Sequence, residues 1–242
     1  IQKFIKHPNA NQDYMKMAYF IYESAAFSID AMKNPKAFNP VNAGPGVNTR
    51  NAEYYPTLSV DGKQLMFTRA LPNEAGEIQE DFVVAFQQNM EWQKALAMPE
   101  NVNTERNEGA PTISADGRLL VFVACADETG DYGDKRKGKG SCDLFYTVRT
   151  GNSWTNPTNI PGDINTFHWE TQPSLSADGK TLYFIRGLRG RGADQRNSDI
   201  YVSRLGANGK WSPAERLPDI INTPYAEESV HIHPDGRTLY FA

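Results

Sequence analysis

No apolar run in this sequence approaches the roughly 18 residues that a membrane-spanning helix needs. Basic residues hold no excess either. There are 25 Lys and Arg against 29 Asp and Glu, a net charge of −4 and a pI near 5.6. That excludes a global positive field able to recruit nucleic acid or anionic lipid. No Gly-x-Ser-x-Gly elbow is present, and neither of the two cysteines has a histidine at a nucleophile spacing. The chain starts at Ile1 without an initiator Met or signal peptide, so it is expected to be a mature or excised segment. What remains is 242 residues, 39% hydrophobic and 22% charged. That is a globular composition, long enough for one large all-β domain or two ordinary ones.

The positive signal is a segment present four times. Each copy starts at Glu53, Glu108, Glu170 or Glu227 and reaches an Asp-Gly pair at Asp61, Asp116, Asp178 or Asp235. An apolar strand follows, with Leu four residues and Phe six residues after the Asp: Leu65 and Phe67, Leu120 and Phe122, Leu182 and Phe184, Leu239 and Phe241. The Asp-Gly pairs lie 55, 62 and 57 residues apart. A period in this range means one supersecondary unit stacked repeatedly.

The unit extends further. A third strand opens at Asp81, Asp143 and Asp199, a fourth at Trp92, Trp154 and Trp211, and an Asn-Thr pair precedes the next Glu at Asn103, Asn165 and Asn222. Four short antiparallel strands that cannot bury their faces alone are β-propeller blades. The fold class is therefore all-β, about four blades of an intact ring of five or six. The Asp-Gly pair is expected to form a two-residue turn with both central residues at positive φ. Segment 38–49 matches a fourth strand with its Asn-Thr ending, and is expected to complete the last blade and close the ring. The domain reading is 1–35 as a helical lead-in and 36–242 as a propeller cut at its C-terminus. Within the lead-in, apolar residues from Met15 to Met32 fall at helical spacing, with Asn11 as cap and Pro35 as stop.

Cys125 ends one strand and Cys142 opens the next. If these strands form a hairpin, the sulfurs face each other, and a disulfide would stabilise by roughly 3 kcal/mol. The other reading is two buried thiols in a reducing compartment.

The Pro-x-x-Ser-x-Asp-Gly-x-x-Leu-x-Phe hairpin followed by an Asp-led aromatic strand resembles the TolB-type, WD-like propeller repeat, over roughly residues 38–242. With the lead-in helix, the Phe38–Asn42 stretch and the Cys125 to Cys142 hairpin, the chain also resembles periplasmic, outer-membrane-associated proteins of Bacteroidetes. These join a tetratricopeptide domain, such a propeller, a carboxypeptidase-regulatory-like domain and an OmpA-like domain, as in the PorE-type components of the type IX secretion system. The resemblance implies a non-enzymatic scaffold linking a secretion or surface apparatus to peptidoglycan, with other envelope proteins as partners. The peptidoglycan-binding domain is absent from these residues. The fourth copy departs from the pattern, with Val230 for Pro and His233 for Ser.

Propeller geometry gathers the fourth-to-first and second-to-third connections on one face. A partner-binding face is expected there, with Arg50, Arg106, His168, Trp169, Arg189, Arg191 and Tyr225, flanked by basic loops. The repeated glutamates could ring a cation, but a residue present in every blade more often serves the blade. Asp81, Asp143 and Asp199 are read likewise. His231 and His233 share one strand face, half a metal site without a third ligand at recognisable spacing. No catalytic residue, metal or cofactor is expected. Two alternatives stay open, a glycan- or peptidoglycan-binding propeller and a propeller hydrolase.

Overall fold

The computed structural model describes residues 1–35, 37–73, 76–188 and 197–242. The chain divides into two compact units, Ile1–Asn42 and Ala43–Ala242.

The first unit is helical. A short helix α1 (Gln2–Ile5) precedes a 3-10 turn (Gln12–Tyr14) that runs into α2 (Met15–Ala31). Asn11 caps this start, its Oδ1 accepting from the Asp13 amide at 2.8 Å. Of the apolar stripe, Ala18 is buried while Tyr19, Ile29 and Met32 are exposed.

The second unit is a β-propeller of antiparallel blades whose sheets do not close into a ring. Blade one holds β1 (Glu53–Leu58), β2 (Gln64–Pro72), β3 (Ile78–Gln88) and a fourth strand in two pieces, β4 (Glu91–Trp92) and β5 (Leu96–Ala97). Blade two holds β6 (Asn107–Ile113), β7 (Leu119–Cys125), β8 (Cys142–Thr150), β9 (Ser153–Trp154) and β10 (Thr158–Asn159). Blade three holds β11 (Trp169–Leu175), β12 (Thr181–Gly187), β13 (Ser198–Arg204) and β14 (Glu215–Arg216). Two strands of a fourth blade follow, β15 (His231–Ile232) and β16 (Leu239–Tyr240).

The second and third strands are apolar on both faces because each blade packs on the next. Met66, Phe82, Phe122 and Phe145 fill the space between blades one and two. Val121, Leu144, Leu182 and Phe184 fill that between two and three. Ile185, Ile200 and Val230 join three to four. Trp154 packs against the first of these clusters and Trp211 against the second, while Trp92 packs against a separate cluster of Val47, Phe67, Val83 and Ala85 on blade one. Inner strands are also stitched across blades by hydroxyls: Leu175 N donates to Thr112 Oγ1 and Ile232 N to Ser174 Oγ, at 3.0 and 2.9 Å.

Two expectations need correction. The connection from β1 to β2 spans five residues, not two, and only glycine takes positive φ there: Gly62, Gly117, Gly179 and Gly236, at 67–70°. The aspartate instead folds the turn through its side chain. Asp61 Oδ1 accepts from Ser59 Oγ and Lys63 N, and Asp116 and Asp178 repeat this. Segment 38–49 forms no strand, and Phe38 and Val41 are exposed. Its Asn-Thr ending belongs to a tight turn in which Val47 N and Asn48 N both donate to Gly44 O. Val102 and Asn103 repeat that turn on Pro99 O, and Ile221 and Asn222 on Pro218 O.

Candidate functional site

The repeated polar residues tie the blades together. Glu53, Glu108, Glu170 and Glu227 each accept from the amide and the hydroxyl of the threonine four residues earlier, at 2.5–3.2 Å. Three of them also hold an arginine: Arg69 on Glu53 at 3.0 Å, Arg136 on Glu108 at 2.6 Å and Arg186 on Glu170 at 2.7 Å. Each arginine caps a turn carbonyl as well, that of Val47, Val102 or Ile164, at 2.8 Å. Burial pushes Glu53 up, but Thr49 and Arg69 outweigh it and hold this carboxyl below its usual range. Glu108 is fully buried, and there burial wins, pushing it up to about 7 against Thr104 and Arg136. Asp143 accepts from the Lys139 and Gly140 amides and from Asn159. Asp199 takes Arg216 in a bidentate pair at 2.7 and 3.0 Å.

What differs between copies lies around the propeller axis. Each inner strand bulges at one place, where the register shifts between Tyr54 and Thr57, Gly109 and Thr112, and Thr171 and Ser174. Pro56, Pro111 and Pro173 sit inside these bulges, since proline has no amide for the ladder. The residue before each proline is left-handed: Tyr55, Ala110 and Gln172 have φ of 49–50°, and Ser229, before Val230, has 56°. A non-glycine residue held there costs on the order of 1 kcal/mol, and such strain concentrates where side chains must be aimed.

All four strained residues line one funnel of about 720 Å³. Gln172 spans it, its Nε2 donating to Tyr55 Oη at 2.9 Å while its Oε1 accepts the Ser229 amide. On the same wall, Tyr54 donates its hydroxyl to Glu80 Oε1 at 2.5 Å. Trp169 and His231 complete the polar and aromatic lining. Partial burial, then Glu80, raises the Tyr54 hydroxyl. Partial burial, then Glu228 and Glu80, raises that of Tyr55, so both stay protonated donors. Partial burial and the neighbouring His233 lower His231. These features allow the funnel to hold a small polar molecule between aromatic faces, a carboxylate and fixed donors.

The residues expected on a partner face have varied surroundings. Arg50 is exposed, and Arg106 is engaged by Asp127 and Asp131 at 2.9 and 2.8 Å. His168 donates its amide to Thr166 Oγ1 at 3.1 Å, and its ring lies 3.9 Å from that of Phe167. Tyr225 is exposed beside Thr223, and Arg189 and Arg191 lie outside the described residues. Among the described members of that set, Trp169 alone lines the funnel. Tyr54, Tyr55, Glu80 and Gln172 were not singled out from the sequence. For Tyr54, Tyr55 and Gln172 the signal was their place one or two residues after a repeated Glu, where the copies diverge before a shared proline; Glu80, just before Asp81, carried no such signal. Cys125 and Cys142 face each other in register and form a disulfide, with Cα atoms 4.0 Å apart.

No protein-family model matches the sequence, and neither does any curated protein. Solved structures do. A thermostable family-43 glycoside hydrolase superposes with a TM-score of 0.49 at 11% identity, over 78% of this chain and 64% of its own. A candidate 6-phosphogluconolactonase from Bacteroides uniformis gives 0.43 at 14%, over 79% of this chain and 47% of its own. A glucose dehydrogenase gives 0.45 at 13%, over 85% and 83%. The chain thus spans about half to two thirds of the length of the first two. Likeness at this level concerns the fold alone.

The names do correct one expectation. These propellers are enzymes, whereas a non-enzymatic scaffold was expected, and that expectation is set aside. The fourfold regularity describes the Thr-Glu ties, three of which also hold an arginine. It does not describe the irregular residues that those ties hold around the axis.

Proposed function

We propose that this propeller is a hydrolase whose small, sugar-like substrate sits in the axial funnel. The observation that carries the reading is the pairing of Tyr54 with Glu80 beside the Tyr55–Gln172 bridge in one recess. Cleaving a glycosidic bond takes two carboxylates in most enzymes that do so. Among the described residues, the funnel wall offers one, Glu80. A single carboxylate with tyrosine donors suits addition of water to a carbonyl, as in a sugar lactone or ester. Glu80 accepts a proton from water as the water oxygen bonds to the carbonyl carbon. The Tyr55 hydroxyl donates to the developing oxyanion. The carbon–oxygen bond to the leaving group then breaks, and the proton passes to the departing alkoxide oxygen.

The disulfide supports an oxidising compartment, and the resemblance to Bacteroidetes envelope proteins favours the periplasm among such compartments. Association with the outer membrane rests on that resemblance. Among the described residues, no helix is long and apolar enough to cross a membrane. The test is an assay of the purified chain on sugar lactones, aryl esters and aryl glycosides. Turnover of lactone or ester that Glu80→Gln reduces at least about 100-fold supports the reading. Turnover of none, or turnover indifferent to Glu80→Gln, overturns it.

A further inference from the structure

We infer that the funnel is built for uncharged or amine-bearing sugar ligands and turns away phosphorylated and carboxylated ones. This rests on the reading of the funnel as the substrate site, and adds the charge class of what enters it.

The first ground is the charge of the wall. Among the described residues, Glu80 is the one lysine, arginine, aspartate or glutamate lining the funnel. The remaining titratable ring, His231, is held to its neutral form by its surroundings. Glu228 adds a second negative charge close enough to act on the Tyr55 hydroxyl. A phosphate or carboxylate would enter a recess facing like charge with no cation among the described lining residues to pair with.

The second ground is the direction of the hydrogen bonds. Glu80 Oε1 is taken by Tyr54, while Oε2 faces Gly109, where an added Cβ would stand 3.6 Å from it. Among the described residues no donor takes that oxygen, so it can receive a ligand hydroxyl or ammonium. Gln172 is held at both ends of its amide, by Tyr55 and by the Ser229 amide, so it cannot turn to suit an acceptor-rich ligand. Tyr55 accepts from Gln172, which leaves its own proton for one ligand oxygen. The site therefore presents a carboxylate acceptor and neutral donors, with no cation among the described lining residues. An oxyanion with three acceptor oxygens is poorly served by that set.

Ligand-observed NMR titration of the full chain with glucosamine, glucose, glucose 6-phosphate and glucuronate tests this. Glucosamine and glucose should bind at least about tenfold more tightly than either anion, with glucosamine ahead. In folded Glu80→Gln, checked by an unchanged melting profile, the amine should lose its lead and the anions should gain. Anions binding as tightly as glucose, or an order untouched by Glu80→Gln, would overturn the charge assignment while leaving the funnel as a sugar site. Binding of none of the four would overturn the substrate-site reading, and this inference with it.

Discussion

Arg136 reaches Glu108 from a loop, yet occupies the place that strand residues fill in the neighbouring blades. Its Nη1 lies 2.6 Å from Glu108 Oε1, its Nη2 caps the Val102 carbonyl, and its guanidinium stands over Phe122. Arg69 and Arg186 make the same three contacts from the second strands of blades one and three, over Phe67 and Phe184. Blade two has Ala124 at that strand position. The long 126–141 connection supplies the missing cation instead.

Removing that cation leaves a carboxylate buried without its counter-charge. At pH 8, where Glu108 is mostly ionised in the wild type, Arg136→Ala should therefore destabilise the propeller by about 3–5 kcal/mol. Arg204→Ala, which breaks an exposed pair with Glu215, should cost less than about 1 kcal/mol. Urea denaturation of both variants checks the contrast. Equal small losses would show that the buried tie contributes nothing.

The loop that delivers Arg136 is closed at its base by Cys125–Cys142, 17 residues apart. It is also packed from within, because Tyr132 is buried and donates to Gly140 O at 2.5 Å. Replacing both cysteines by serine should cost about 3 kcal/mol. Since the disulfide and Arg136 act through one loop, the double change with Arg136→Ala should lose less than the sum of the separate losses. Strict additivity in a denaturation cycle would contradict this coupling.

Much of the blade was legible because it repeats. Leu120 and Phe122, or Leu182 and Phe184, mark the buried second strands of blades two and three. Asn103, Asn165 and Asn222 recur for a similar reason. Each bonds both the amide and the carbonyl of one third-strand residue, Phe82, Leu144 or Ile200. The funnel was not legible in that way. Tyr55 and Gln172 lie 117 residues apart and meet because the blades curve around an axis, which no local period encodes. Arg136 was hidden too, since a loop residue in a basic run looks like solvated charge until it is found buried.

The Asp-Gly turns should govern the acid side of stability. Asp61, Asp116 and Asp178 are held below their ordinary value first by the hydroxyl of Ser59, Ser114 or Ser176, and next by a backbone amide. A depressed folded-state value means a contribution fully present above the unfolded-state value, near 4, and lost as pH falls through the folded one. Asp116→Asn should be least stable relative to wild type at neutral pH, with the gap shrinking toward pH 3. Thermal melts at several pH values measure this, and a gap that widens on acidification would refute it.

Glu108 works in the opposite direction and makes Arg136 a pH-dependent tie. Burial pushes its carboxyl up to about 7, so folding favours the protonated form, and its contribution weakens as pH rises from about 4.5 through 7. Arg136 opposes that loss by pairing with the ionised form. Without Arg136, burial acts on Glu108 unopposed by that charge, and the folded-state value climbs further. The stability lost in Arg136→Ala should therefore grow as pH rises, small near pH 5 and large near pH 8. An Arg136→Lys variant keeps the charge and gives up the second contact to Val102 O. It should retain most of the pH dependence of wild type while losing stability evenly across the range. Denaturant midpoints at pH 5, 6.5 and 8 for the three proteins decide it. A loss in Arg136→Ala that stays constant with pH would mean that Glu108 does not titrate within that range.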